Sequence, residues 1–132
     1  MPVVRSWSTI REDEARLEFV DSDTTLLWIV KYLTKAELLW IGTRFAGREM
    51  SLPDESISDQ DPIASVVSAY RAAWLEVDAI STAAPLDQLC HDVGAGAVVD
   101  LRWVLMHLLE GTARHAGHAG ILRELVDGTA GR

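Results

Sequence analysis

Cysteine and basic side chains are scarce in this chain of 132 residues, and each shortage excludes a class of protein. The single cysteine, Cys90, can neither form a disulfide within one chain nor build a cysteine-rich zinc site. The 12 Lys and Arg residues are outnumbered by 20 Asp and Glu residues, which gives a net charge of -8. Because a negative surface repels phosphate backbones, we expect no nucleic-acid partner.

Long apolar runs are missing as well. No stretch reaches the roughly 18 apolar residues that a membrane-spanning helix needs, so we expect no membrane partner. The N-terminal sequence becomes charged after Ile10 and has no signal-peptide h-region, which favours a cytoplasmic location. Strand-like alternation, internal repeats, a glycine-rich phosphate loop and a GxSxG elbow are also lacking.

The apolar residues that are present follow helical spacing in three segments, which predicts an all-α fold. These segments cover about residues 24–46, 61–84 and 100–127. The second should begin with Asp61 as N-cap and Pro62 at the first helical position, where a missing N–H costs nothing.

A carboxylate lies in the middle of the apolar stripe of the first predicted helix. Glu37 falls between Leu33 and Ile41 at helical spacing. Burying a carboxylate is costly unless it is paired, and burial raises its pKa. Glu37 is therefore a candidate general base or hydrogen-bond anchor, and the alternative is a salt bridge to Arg114 or Arg102.

Histidines concentrate on the third predicted helix. His115 and His118 are i,i+3 neighbours, while His107, Arg114 and His118 share a second face. Histidines at this spacing suit a divalent metal, because neutral imidazole is a common metal ligand. The alternative is that they are polar core residues satisfied by hydrogen bonds.

Aromatic residues supply further candidates. Tyr32, on the flank of the first helix, can donate a phenolic proton or serve only as a wedge between helices. Four tryptophans are expected in the core and in the walls of a pocket, namely Trp28, Trp40, Trp74 and Trp103. Cys90 is followed directly by His91, but catalytic partners converge in space rather than along the chain, so we do not take it as a nucleophile.

Three segments resemble helices of the DinB-like family, in its actinobacterial branch. The last helix is similar to LRWVLMHLLEGTARHAGHAGILRELVDG, residues 101–128, the second to residues 24–47, and the third to SAYRAAW, residues 68–74. The resemblance covers about residues 21–131 and implies a four-helix bundle whose first helix is shortened here. It also implies a divalent metal and a thiol-dependent transferase or isomerase activity, in some members with mycothiol.

The chain departs from the family pattern at the metal site. The family's second helix usually has a metal-binding histidine where this chain has Tyr32, followed by a glutamate that Glu37 matches. Its last helix usually has a glutamate where this chain has Gly111, and a further acidic position is Gly120. Of three expected ligands only His115 is matched, and one protein ligand holds a metal weakly. We therefore expect no metal and no other cofactor.

Together these observations predict one helical domain, residues 1–132, that binds a small organic molecule between its helices. The expected acid–base groups for an isomerisation, cyclisation or transfer are Tyr32, Glu37, His115 and His118. The expected substrate-binding residues are Trp28, Trp40, Trp74, Trp103, His107 and Arg114. One alternative is a divalent metal such as zinc or nickel, held by His107, His115 and His118, that acts with a low-molecular-weight thiol. Another is a binding protein without catalysis.

Only three helices are long enough for a four-helix bundle, and residues 1–20 form an atypical short segment. Ile10–Val20 offers few apolar contacts, so one side of the bundle would expose on the order of several hundred Å² of apolar surface. Symmetric pairing of two such faces would cover it, which predicts a homodimer.

Overall fold

The computed structural model describes residues 26–54 and 62–127, and these residues confirm the all-α fold. Helix α1 covers Leu26–Glu37 and continues into a π-helix, Leu38–Phe45. Helix α2 covers Ile63–Thr82 and helix α3 covers Leu101–Asp127. The described residues contain no β-strand, only an isolated bridge between Leu89 and Asp100. None of the described helices is both long and apolar enough to cross a bilayer.

The apolar stripes pack into two clusters along the bundle. One contains Leu27, Val30 and Leu122, and the other contains Ile41 and Leu101, all of them fully or almost fully buried. Contacts between α1 and α2 and between α1 and α3 hold the three helices together. Burying each large side chain of this kind stabilises the fold by about 1.5–3 kcal/mol. The burial of these residues also confirms the apolar stripe that was predicted for the first helix.

The first predicted helix is a single rod, but it changes type directly after Glu37. From Leu38 onward the i→i+5 pattern of a π-helix replaces the α-helical pattern, and the Ala46 N–H donates to the Ile41 carbonyl at 3.1 Å. The rod ends at Gly47, whose φ of 69° lies in the left-handed region that favours glycine. π-helical turns are rare and frequently found at functional sites, and this one follows the candidate base.

The predicted start of the second helix is wrong by one residue. Pro62 has extended backbone angles, φ -68° and ψ 148°, and is the N-cap, while the helix begins at Ile63 and ends at Thr82. The predicted cap Asp61 and the predicted segment Ile10–Val20 lie outside the described residues. Before α3, the Asp100 side chain accepts a 2.9 Å hydrogen bond from the Trp103 N–H. Asp100 therefore caps the helix and is not its first helical residue, which is Leu101.

Candidate functional site

A cleft of about 120 Å³ lies between the first rod and α3. Its walls come from residues one turn apart on each helix, because positions i, i+3 and i+4 share a face. Gly111 contributes to the space, since a Cβ added there would meet no atom within 4 Å. The lining residues are Tyr32, Leu33, Ala36, Glu37, Trp40, His107, Leu108, Glu110, Gly111, Thr112 and Arg114.

Glu37 is the titratable group of this cleft that is most changed by its surroundings. Burial raises its pKa from 4.5 to about 7, and the nearby Asp78 carboxylate raises it as well. The Tyr70 hydroxyl lowers this pKa by hydrogen bonding, and the nearby Trp74 indole lowers it more weakly. A carboxyl group with a pKa near neutrality can both accept and release a proton under ordinary conditions, as a general acid–base catalyst must.

The Glu37 carboxyl is only partly satisfied. Among the described residues, its buried Oε2 atom has no hydrogen-bond partner, and the buried Nε1 of Trp74 has none either. The indole thus lies close enough to lower the pKa of Glu37 without completing a hydrogen bond. Neither Arg102 nor Arg114 affects the pKa of Glu37, so the salt bridge that we considered from the sequence is not formed.

Tyr70 is a functional candidate that the sequence reasoning missed. Its side chain is completely buried on α2, and its ring packs against Trp74 with centroids 4.9 Å apart. Burial and the Glu37 carboxylate raise the pKa of its phenol, so it stays protonated and able to donate. The signal in the sequence was a tyrosine inside an otherwise apolar stripe, since a buried hydroxyl needs a partner.

His115 lies behind the cleft, not in its wall. Its ring packs against Tyr32 at 4.9 Å and against Trp28 at 6.3 Å, and Trp28 stacks on Tyr32 at 5.1 Å. Burial lowers its pKa, and the charges of Arg114 and His118 lower it further, which favours neutral imidazole. Its buried Nδ1 has no hydrogen-bond partner in the part of the chain that the structure describes. Tyr32 is therefore the link between His115 and the cleft that Glu37 lines.

A second aromatic cluster forms the opposite end of the site. His107 lies 4.7 Å from Trp40 and is stacked on Trp103 at 5.0 Å. The Arg44 guanidinium lies 4.2 Å over the Trp40 ring, a cation–π contact. Trp103, 45% exposed, lines a neighbouring surface pocket instead of the cleft, so the four tryptophans do not form one wall.

Arg114 stands at the rim of the cleft. It forms an ion pair with Glu110 at 3.5 Å, and both side chains are largely exposed. Exposed pairs of this kind contribute between about 0 and 1 kcal/mol, so either partner is free to exchange its contact for a charged ligand. Its position makes Arg114 a reachable cation for an anionic part of a bound molecule.

Among the described residues, no group of three potential ligands is placed to hold a divalent metal. All four histidines and the only cysteine lie within residues 26–54 and 62–127. In that part of the chain no three His, Cys, Asp or Glu side chains come together at a distance that could hold an ion, so His107, His115 and His118 do not form the alternative site.

The described helices form an all-α fold with an interhelical cleft, and this cleft is lined by a carboxyl group whose pKa is raised to about 7. The family model described as mycothiol-S-transferase matches residues 3–128, and the chain belongs to that family. The match includes the residues before position 21, which the resemblance in the sequence had not covered. No curated protein and no solved structure matched the chain.

Proposed function

We propose that this protein transfers a low-molecular-weight thiol to a small organic electrophile in the cleft between the first rod and α3. The observation that carries the proposal is Glu37, a buried carboxyl with a pKa of about 7 in the wall of that cleft. Membership of the mycothiol-S-transferase family supports transfer rather than the isomerisation or cyclisation that the sequence also suggested.

The chemistry follows from the properties of thiols. A free thiol has a pKa near 8.5, and its thiolate is the nucleophile. A base with a pKa of about 7 can accept the S–H proton while the sulfur–carbon bond forms. The electron pair of the attacked bond moves to the leaving group, or to the electrophile in an addition, which then recovers the proton from Glu37. Atoms and charge balance without an added oxidant.

The remaining predicted residues are assigned supporting roles in this proposal. Tyr32 lines the cleft, and in this proposal its phenol donates a hydrogen bond to the electrophile. His115, neutral and packed on Tyr32, fixes that ring, and His118 acts only through His115. Trp40 and His107 supply apolar wall, and Arg114 attracts a negative charge on either reactant. No step passes through a metal.

A conjugation assay tests the proposal. The purified protein is mixed with mycothiol and, separately, with glutathione or cysteine, and chlorodinitrobenzene serves as a chromophoric electrophile. We expect conjugation above the uncatalysed rate with at least one thiol, and Glu37→Gln should lower it by about 10²-fold or more. The matched control is Glu76→Gln, which removes an exposed carboxyl of α2. Equal rates in the protein and in Glu37→Gln would refute the assigned base, and no conjugation with any of the thiols would favour a binding protein.

A further inference from the structure

One face of α2 is directed at the candidate base from the neighbouring helix. Tyr70, Trp74 and Asp78 follow one another at intervals of four residues, so they share a side of α2. All three affect the pKa of Glu37: the Tyr70 hydroxyl through a hydrogen bond, the Trp74 indole as a nearby donor that completes no hydrogen bond, and Asp78 through its charge. None of them lines the cleft itself. Glu37 therefore borders the cleft on one side, while α2 acts on it from the other.

We propose that Tyr70 and Trp74 are positioning residues that hold Glu37 and, together with Asp78, determine how readily it binds a proton. A role of these residues in catalysis rests on the proposed function. Their effect on the proton affinity of Glu37 does not depend on which reaction occurs. Tyr70 and Trp74 present donors, which stabilise the carboxylate form. Asp78 presents a negative charge, which stabilises the protonated form. The resulting proton affinity is the balance of these opposed contributions and of burial.

Two buried polar atoms, one on Glu37 and one on Trp74, explain why the proton affinity of Glu37 can change. Glu37 Oε2 can accept a hydrogen bond, Trp74 Nε1 can only donate one, and both are buried without a partner within residues 26–54 and 62–127. Leaving such groups unpaired is costly, so a small rotation that joins them is favourable when Glu37 is ionised. Closing this contact would stabilise the carboxylate as it forms, and Tyr70 already holds the carboxyl from the same side. Proton loss and indole contact are therefore coupled.

Other charged groups near the carboxyl act from different directions. Arg114, Glu110 and His107 face the cleft from α3, but Arg114 and Glu110 pair with each other at the exposed rim. None of these three contributes to the pKa of Glu37, in contrast to Asp78. The control of Glu37 therefore comes from α2.

The test is a titration of the Glu37 side-chain carboxyl by carbon-13 NMR in the full chain, with Glu37→Gln to assign its signal. Removing one donor, in Tyr70→Phe or Trp74→Phe, should raise its pKa by about one unit, because the ionised form loses a hydrogen-bonding partner. Asp78→Asn should lower it. Glu76→Gln is the matched control, since it also removes one negative charge from α2 and Glu76 has no effect on Glu37. Asp78 is exposed, so its variant folds even if the two aromatic variants do not.

The outcomes separate this inference from the proposed function. Opposite displacements of the Glu37 pKa in the donor and Asp78 variants, with no change in Glu76→Gln, support the inference even if no thiol is transferred. If the pKa stays the same in all variants while Glu37→Gln abolishes conjugation, the inference is overturned and the function stands. Where conjugation is measurable, the rising limb of its pH profile should move in the same direction as the pKa in each variant.

Discussion

Replacing Glu37 with glutamine should stabilise the protein at alkaline pH, although it removes the candidate base. Burial raises the pKa of this carboxyl from 4.5 to about 7, so the folded state binds the proton more tightly than the unfolded state. The resulting stabilisation is complete below pH 4.5, falls as the pH rises, and is lost above pH 7. Since one pKa unit corresponds to about 1.4 kcal/mol, the loss amounts to about 3 kcal/mol.

Glutamine has nearly the same shape and no charge, so Glu37→Gln does not undergo this loss. The assay is urea unfolding of both proteins at several pH values between about 4 and 9, covering the range from the unfolded to the folded pKa. From the acidic to the alkaline end of this range, the free energy of unfolding of Glu37→Gln should gain about 3 kcal/mol relative to that of the unchanged protein. For a domain of this size, this gain corresponds to roughly 10 °C in Tm.

Other carboxyls also titrate over this range, but they do so in both proteins and cancel in the difference. Glu76→Gln provides the control, because Glu76 is exposed on α2 and its replacement should leave the pH dependence unchanged. Parallel stability curves for the protein and Glu37→Gln would refute the reasoning. They would mean that Glu37 is solvated in solution and cannot act as a base tuned by burial.

Four further predictions concern two backbone positions, the metal content and the assembly. Gly117→Ala should stabilise the protein by about 1 kcal/mol in thermal unfolding, because its Cβ would meet no atom within 4 Å. Gly47→Ala should destabilise it, because φ is 69° and the new Cβ would lie 2.8 Å from the His91 ring. Elemental analysis of protein purified without a His-tag should find no stoichiometric zinc, nickel or iron, and near-unit metal that survives mild chelation would restore the metal alternative. Light scattering at micromolar concentration should give a homodimer, and a stable 14.5 kDa monomer would contradict it.

The sequence was sufficient to predict the fold class and the raised pKa of Glu37, but not the geometry around this residue. Periodicity placed Glu37 on a buried stripe, and the structure has it among buried neighbours. The π-helix after Glu37 escaped notice because its apolar residues still fit helical spacing, and Ile41 remains fully buried. The histidines were harder to place, since i,i+3 spacing shows that His115 and His118 are neighbours but not which of them reaches a cleft. That depends on the rotation of α3 against α1.

The contact between Tyr70 and Glu37 also depends on how the helices pack, which the sequence does not show. Its position in the apolar stripe of α2 predicts burial, but only the packing of α2 on α1 shows that the hydroxyl meets Glu37. This packing also decides between the two interpretations that the sequence left open for Glu37. An arginine partner would have kept the carboxyl ionised and made it structural. The structure instead gives it the Tyr70 hydroxyl as a neutral hydrogen-bond donor, a nearby indole N–H and a nearby carboxylate, and keeps Arg114 at the exposed rim with Glu110. Because no cation of the described residues lowers its pKa, burial outweighs the donors and raises the pKa of Glu37 to about 7, where the carboxyl can exchange a proton near neutral pH.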